Sequence, residues 1–233
     1  MNKPAASDPG FALVRLLQLA SPALPIGAYS YSQGLEWVVG NGVVRDAPTA
    51  QRWIGDLLDH VMPSGEAAVT WRLLEAARAS DWPACARWNA WFRASRETAE
   101  LAAETEQTGH SLLRLAGDLE LLDAAARRAA PALAPITLPA AFAFASRGFG
   151  LRTDAALTAY LWAWLENQVL CAVKTIPLGQ VAGQRLLLEL GGHIPMAVAA
   201  ACATADDEVT SFAPGLALAS SRHETQYTRL FRS

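Results

Sequence analysis

The chain has 233 residues, of which 52% are hydrophobic and only 18% charged, and its formal net charge is −3. Since globular proteins average about 25% charged residues, this composition predicts a large buried core with apolar surface left over for partners. The charge balance offers no basic footprint for nucleic acid. The three cysteines, Cys85, Cys171 and Cys202, are too far apart for a CxxC metal clip or a disulfide framework, as is typical of the reducing cytosol.

Helical periodicity dominates the first half of the chain. Apolar side chains recur at three- and four-residue spacing over 49–60 and again over 66–79, which predicts two amphipathic helices. Pro83 suits the first turn of the next helix. From Ser95 we predict a long helix that is polar at first and apolar later, with a bend or a change of face near Gly109.

A central helix is predicted in the second half of the chain. Three prolines between residues 131 and 139 mark a loop, and the segment 153–173 follows, with Thr153 and Asp154 as cap candidates. Its broad apolar face is typical of a helix inside a bundle. That face consists of Leu157, Tyr160, Leu161, Trp164, Leu165, Gln168 and Val169.

The most apolar long window is Leu186 to Ala205, and it contains Glu189, the Gly191–Gly192 pair and Pro195. A membrane span needs about 20 mostly apolar residues without such breaks. We therefore predict no transmembrane segment but a buried helix pair, over about 180–190 and after Pro195. A polar break precedes the last helix, and the N-terminus lacks the apolar region of a signal peptide.

No stretch sustains the alternation of a β-strand, and no internal repeat of fixed period occurs. The nearest hairpin signal, Asn41 to Val44, is better explained as a helix end closed by glycine. The sequence therefore predicts an all-α, single-domain bundle of about ten helices over residues 1–233. Residues 1–10 are predicted to be a flexible N-terminus, and residues 222–233 a partner-binding C-terminal tail.

Motifs that would indicate an enzyme are absent from the sequence. There is no GxxxxGK[ST] loop to surround phosphates, no GxGxxG after a strand and no GxSxG elbow. Paired carboxylates such as Glu104/Glu106 and Asp206/Asp207 fall on stretches that look exposed, and we interpret them as solvated charges. The sequence thus predicts a protein that is not an enzyme.

The four histidines do not form a metal site either. His223 and Glu224 begin an HExxH-like pattern, but Tyr227 stands where the second imidazole of a zinc site would be required. His60 and His110 stand alone on polar helical faces, as solvated histidines do. His193 follows a glycine at a predicted helix start, where a cap or turn role is favoured.

Composition does not explain three further segments. The first, residues 16–36, runs from a short helix through a loop rich in Pro, Tyr and Ser to a new helix capped near Ser30 or Ser32. Gly34 closes that loop and would allow a backbone to approach closely. The second, 174–180, follows the central helix, and Lys174 would there complement the helix dipole.

The third segment is the C-terminal tail, residues 222–233, with its dense mixture of Arg, Tyr, Leu and Phe. These residue types are enriched in interface hot spots, whereas ordinary chain ends carry little. The composition favours a tail that folds on a partner.

Four stretches together resemble the urease accessory protein UreF family. They are LLQLASPALPIGAYSYSQGLE from Leu16, SRETAELAAETEQTGHSLLRL from Ser95, LENQVLCAVKTIPLGQ from Leu165 and HETQYTRLFRS from His223. The resemblance covers almost the whole chain, and the combination is specific. Thr108 stands where the family pattern has Met, and Ala28 where it usually has Gly. Neither departure removes a charged or aromatic group, so only local packing is affected.

The resemblance implies a cytoplasmic, homodimeric scaffold without a cofactor. It would bridge UreD, also called UreH, and the nickel-carrying GTPase UreG, so that nickel reaches apo-urease. The residues implied to dock in UreD/UreH are Arg222, His223, Glu224, Gln226, Tyr227, Arg229, Leu230 and Phe231. The residues implied to form or border the UreG face are Tyr29, Tyr31, Ser32, Gln33, Glu36, Lys174 and Gln180.

Two of these residues carry further expectations. As surface residues, Glu36 and Lys174 should tolerate alanine with a change in stability within about 0.5 kcal/mol. For Lys174, the helix-dipole role is as well supported as the partner contact.

Two rival functions stay open. A metallochaperone that holds nickel itself would need two or more His or Cys ligands close together, and His223 and Cys202 are the candidates. An enzyme with an apolar pocket between helices would need acidic or imidazole groups converging on that pocket.

Overall fold

The computed structural model describes residues 9–233. Residues 1–8 of the predicted flexible N-terminus lie outside this range, and Pro9 and Gly10 begin the first helix. The described residues form twelve α-helices and no strand, which confirms the all-α prediction, and ten of the helices are longer than six residues. The helices are α1 (Pro9–Leu19), α2 (Leu35–Gly40), α3 (Ala47–Asp56), α4 (Glu66–Ala79), α5 (Trp82–Ala94), α6 (Ala99–Asp118), α7 (Ala124–Ala129), α8 (Leu138–Gly148), α9 (Thr153–Thr175), α10 (Gln180–Gly191), α11 (Ile194–Ala203) and α12 (Pro214–His223).

The core is centred on α8 and α9. Helix α8 packs against α4 and α6, and every residue from Pro139 to Ser146 is buried, because its alanines let neighbouring helices approach from all sides. Helix α9 packs against α4 and α10. All seven residues of its predicted apolar face are buried, so the prediction of a central helix is confirmed.

Helix boundaries follow the sequence closely, and the exceptions have local causes. Helix α4 has the predicted bounds, and a π-helical turn, Leu57–Val61, continues α3. Helix α6 begins at Ala99 rather than Ser95, because the Thr98 hydroxyl accepts a hydrogen bond from Leu101 N at 3.2 Å and so caps the helix.

Two predicted caps are wrong. Arg152 occupies the N-cap position of α9 and makes no side-chain cap bond there, so Thr153 and Asp154 lie inside the helix. Gly34 is the N-cap of α2, although Ser32 contributes because its Oγ accepts a hydrogen bond from Glu36 N at 3.2 Å.

Helix α6 runs without interruption through Gly109. A Cβ at this position would lie 2.5 Å from Ile136 O, so the glycine allows the backbone leading into α8 to lie against α6. The sequence signal at Gly109 is thus explained by a close approach between two segments.

The predicted helix pair near residue 190 is present as α10 and α11, with the turn at Gly192 and His193 between them. The stretch Gln180–Ala203 is long and apolar enough to pass a length-and-composition test for a membrane span, and 33% of its most apolar window is buried in this fold. Leu188 and Met196 are 80% and 78% exposed. One face of the pair is buried and the other is an exposed apolar face, so the prediction of a buried pair is wrong for the outer face.

Candidate partner-binding site

The site is built where the N-terminal loop, residues 20–34, meets the C-terminal tail. Helix α12 delivers the tail by packing against α2. At Gly34, φ is +78°, and an added Cβ would lie 2.9 Å from Ser220 N. Only glycine fits both the left-handed conformation and this contact, so the predicted close backbone approach at Gly34 is confirmed.

Backbone hydrogen bonds join the tail to the N-terminal loop. Ser32 N donates to Ser233 O at 2.7 Å, and Arg232 N donates to Ser30 O at 2.7 Å. The Ser32 hydroxyl also donates to Ser233 O. The last two tail residues are thereby fixed along the loop.

The Glu36 carboxylate holds the adjacent tail residues. Its Oε1 accepts a hydrogen bond from Leu230 N at 2.6 Å, and its Oε2 accepts one from Phe231 N at 2.9 Å. Glu36 is buried, whereas the sequence analysis treats it as a surface residue. That expectation is wrong, because the side chain satisfies two tail amides that would otherwise lack partners.

Helix α6 supplies the next contacts through Glu100. Its Oε2 lies 2.6 Å from His223 Nδ1, and its other oxygen pairs with the Arg229 guanidinium. His223 Nε2 in turn lies 3.2 Å from Glu36 Oε2. Close by, the Glu224 carboxylate accepts a hydrogen bond from Ala99 N at 2.9 Å and supplements the cap of α6.

One turn further along α6, Glu104 binds both segments. It accepts hydrogen bonds from Ser233 Oγ at 2.9 Å and from Gln33 Nε2 at 2.8 Å. The interpretation of Glu104 as a solvated carboxylate is wrong, since it is buried, and this burial raises its pKa to about 7. We call Glu36, Glu100 and Glu104 the tail clamp.

The other acidic pair of the sequence analysis, Asp206 and Asp207, is exposed, as predicted.

Lys174 lies in the last turn of α9, as predicted, and faces two aromatic rings. Its Nζ is 5.6 Å from the centre of the Phe231 ring and 6.0 Å from that of Tyr29. These distances suit cation–π contacts. Burial, followed by the charge of Glu166, raises the pKa of Tyr29 to about 12, so its hydroxyl stays protonated at neutral pH.

Residues predicted for two different partners, such as Phe231 and Glu36, are therefore brought together, and only some of the predicted residues are exposed to solvent. Tyr227 is fully exposed and Leu230 is 64% exposed, and three other predicted tail residues, Arg222, Glu224 and Arg229, also face solvent. His223 and Phe231 are buried. On the loop side the buried residues are Tyr31, Ser32 and Glu36, the half-buried ones are Tyr29 and Gln33, and the exposed ones are Lys174 and Gln180.

Sequence reasoning missed Glu100 and Glu104, which hold the tail. Their i, i+4 spacing places them on one face of α6, and this was the available signal. The same spacing is also typical of a helix face exposed to solvent. Only the fold shows that the tail lies against this face of α6.

The remaining histidines have ordinary surroundings. His60 and His110 are exposed, and His193 is the N-cap residue of α11 and pairs with Asp59 at 2.9 Å. Within residues 9–233, no group of three or more His, Cys, Asp or Glu side chains is arranged to hold a metal ion. Burial raises the pKa of the Cys85 and Cys171 thiols to about 12, which keeps them protonated.

Fold and site together define an all-helical protein whose C-terminal tail packs against its own N-terminal loop and helix α6. The UreF family model matches residues 44–191. The chain is 55% identical over 223 residues to "Urease accessory protein UreF" of Azoarcus sp. (strain BH72), which covers 95% of each chain. It is 50% identical over 222 residues to the protein of the same name from Janthinobacterium sp. (strain Marseille), which covers 95% of this chain and 98% of the relative. The chain therefore belongs to the UreF family of urease accessory proteins.

Proposed function

We propose that this protein is a cytoplasmic, non-catalytic scaffold in urease maturation, which bridges UreD/UreH and UreG so that nickel enters apo-urease. Membership in a family of urease accessory proteins supports the role in maturation. The bridging role is our extension of that membership to the geometry of this chain.

One observation carries the proposal: buried anchors hold the tail while its hot-spot residue types face outward. His223 and Phe231 are fixed inside the fold, whereas Tyr227 and Leu230 project from it. Because the backbone is already ordered, a partner would bind these side chains without the full entropic cost of ordering the tail. We assign this outer surface to UreD/UreH.

We assign the UreG contact to Lys174 and Gln180, the two exposed residues of the predicted UreG face. Lys174 and Gln180 face solvent, and Lys174 adjoins both Tyr29 and the tail residue Phe231. A single ordered region would then carry both contacts, as a bridging protein requires.

The direct test changes Tyr227 and Leu230 to alanine together and measures co-purification with UreD/UreH. We expect at least about a tenfold loss of binding, since truncated hot spots cost about 2 kcal/mol or more. Phe212→Ala is the matched control, because Phe212 is 81% exposed but lies outside the tail. Undiminished capture by the double variant would contradict the docking surface.

A second experiment tests the UreG contact with the variants Lys174→Ala and Gln180→Ala. Each variant is assayed for UreG recruitment and for urease activation. Recruitment should fall while UreD/UreH capture is retained. Normal recruitment by both variants would remove these residues from the interface.

The proposed homodimer is supported by the apolar outer face of α10 and α11. Val181 and Leu188 are seven residues apart and so lie on one side of α10, and both are well exposed together with Met196 of α11. We assign this face to a second copy of the chain. Leu188→Glu with Met196→Glu should shift sedimentation from dimer to monomer, whereas Leu13→Glu, at an exposed position of α1, should not.

The alternative function, holding nickel itself, is separated from the scaffold by equilibrium dialysis of the purified protein against nickel. A stoichiometric, tightly held ion would favour the metallochaperone. The scaffold predicts that nickel is retained only when UreG is present.

A further inference from the structure

Gln33 has a backbone conformation that its residue type does not favour. Its φ is +52°, which lies in the left-handed region where glycine is favoured. Among residues 9–233, two other residues with side chains share this conformation, Ser80 at the end of α4 and Glu120 just beyond α6, and both close a helix there. Gln33 closes no helix and is half-buried. Such a conformation persists only where the surrounding structure enforces it.

The side-chain amide of Gln33 joins α6 to α9. Its Nε2 donates a hydrogen bond to Glu104 Oε1 at 2.8 Å, and its Oε1 accepts one from Trp164 Nε1 at 2.9 Å. An indole N–H can only donate, and an ionised carboxylate can only accept. The group between them therefore needs one acceptor and one donor, which a carboxamide provides.

The bridge continues to the tail through Glu104. The other oxygen of this carboxylate accepts a hydrogen bond from Ser233 Oγ at 2.9 Å, and Ser233 O accepts one from Ser32 N at 2.7 Å. Ser32 and Gln33, which are neighbours in the chain, thus hold the same tail residue, one directly and the other through Glu104. Because Glu104 and Ser233 are both buried, water would not replace a lost bond between them.

We propose that Gln33 is the positioning residue of the partner-binding site: its amide holds Glu104 in the orientation that receives the tail. The left-handed backbone is then explained, because it directs the Gln33 side chain to Glu104 while Ser32 keeps its bonds to Ser233.

In this role Gln33 acts without touching a partner, since both polar atoms of its amide are bonded within the protein. It therefore supports the UreD/UreH surface on the tail rather than the UreG face to which the family resemblance assigns it. The effect on docking rests on the proposed function, whereas the effect on tail attachment concerns the chain alone.

An exchange of the two bridging side chains tests this role. Gln33→Glu places a second carboxylate against buried Glu104, which is costly, and should loosen the tail. Gln33→Glu combined with Glu104→Gln places a carboxylate opposite a carboxamide again, with the direction of the hydrogen bond reversed. The carboxylate at position 33 could still accept from the Trp164 indole, so the double variant should hold the tail as the wild type does. The measurements are made at pH 8, above the pKa of about 7 of Glu104.

Hydrogen exchange at the Arg232 amide reports tail attachment, since this amide donates to Ser30 O at 2.7 Å. We expect exchange at least about tenfold faster in Gln33→Glu, because a lost bond to a charged group changes an equilibrium by about that factor or more. The rate should return close to the wild-type value in the double variant. The amide of buried Leu165 in α9 reports global unfolding and should respond less. Capture of UreD/UreH should follow the same order as the Arg232 rates.

A glycine variant separates the side chain from the backbone. Gln33→Gly suits the left-handed conformation but removes the amide, so a positioning role predicts faster exchange at Arg232. A purely conformational role predicts slower or unchanged exchange, because glycine relieves the strain. Glu120→Gly is the matched control, since Glu120 has a φ of +55° at an exposed turn, and it should leave the Arg232 rate unchanged.

Two outcomes would overturn the positioning role. One is tail exchange in the double variant that stays as fast as in Gln33→Glu, and the other is unchanged exchange in Gln33→Gly, which decides the matter even if Gln33→Glu fails to fold. Faster tail exchange with undiminished UreD/UreH capture would support the attachment and contradict the docking surface. The two failures are thus distinguishable.

Discussion

The apolar core around α8 and α9 and the tail clamp are both buried, yet they are stabilised in different ways. In the core, Phe144 and the alanines of α8 pack without any polar requirement. In the tail clamp, Glu36, Glu100 and Glu104 bond to groups more than a hundred residues away in sequence. Apolar packing tolerates many partners, whereas each clamp carboxylate needs a particular donor. The core should therefore set global stability, and the tail clamp should set local attachment.

The largest effect is expected in the core. Phe144 is 1% exposed and its ring centre lies 5.3 Å from that of Trp82. Phe144→Ala should lower the free energy of unfolding by about 3–5 kcal/mol, because it removes buried apolar surface and leaves a cavity. Chemical denaturation measures this, with the exposed Phe212→Ala as a control that should change little. A small loss for Phe144→Ala would mean that the core collapses around the gap.

The next effect concerns pH and the far end of the tail clamp. Burial raises the pKa of Glu104 from its ordinary value of 4.5 to about 7. Between these values the folded protein keeps a proton that the unfolded chain has lost. Stability from this group is thus present below about pH 4.5 and is lost as the pH rises through about 7, on the order of 3 kcal/mol in all.

Glu104→Gln tests this by flattening that part of the stability–pH curve, as measured by denaturant midpoints at several pH values. Glu106→Gln, on the same helix but paired with Arg93 toward solvent, is the control. A curve that keeps its slope in Glu104→Gln would place the titrating group elsewhere.

A smaller and local effect is expected for Glu36→Gln. The change removes the charge that two tail amides and His223 share, worth about 2 kcal/mol, because hydrogen bonds to charged acceptors are the stronger ones. The total cost is limited, since the tail can detach while the bundle stays folded. Hydrogen exchange at Leu230 and Phe231 should accelerate while the melting temperature falls less than in Phe144→Ala.

The exposed Glu189→Gln provides the baseline for that comparison. If Glu36→Gln melted the whole protein as strongly as Phe144→Ala does, the tail clamp would belong to the global folding unit. The contrast between the two regions would then be wrong.

The smallest effect distinguishes the two roles of Lys174. A contact with the Phe231 ring predicts a coupling of about 0.5 kcal/mol between Lys174→Ala and Phe231→Leu in a double-mutant cycle. A purely helix-dipole role predicts additive effects. Thermal unfolding of the two single variants and the double variant measures the coupling.

Much of the fold could be predicted because helix periodicity is local. The seven-residue face of α9, the bounds of α4 and the turn between α10 and α11 all depend on residues within a few turns of one another. The close backbone approach at Gly34 could also be predicted from a local signal. A glycine that closes a loop indicates such an approach, wherever in the sequence the approaching segment lies.

The tail clamp could not be predicted from such spacing. Glu104 is an ordinary carboxylate in a polar stretch of sequence, and only the fold places Ser233 and Gln33 against it. Glu36 is a surface residue by pattern and becomes a buried acceptor because α12 carries the tail across α2.

The sequence by itself thus determined that this is an all-helical protein with a central α9 and an unusual C-terminal tail, because apolar spacing and residue type are written along the chain. The tertiary structure alone decided that the tail lies on the N-terminal loop, with His223 and Phe231 inside and Tyr227 and Leu230 outside. The physical reason is that a buried carboxylate needs a hydrogen-bond donor. A donor that lies more than a hundred residues away in sequence reaches the carboxylate only when the bundle has formed.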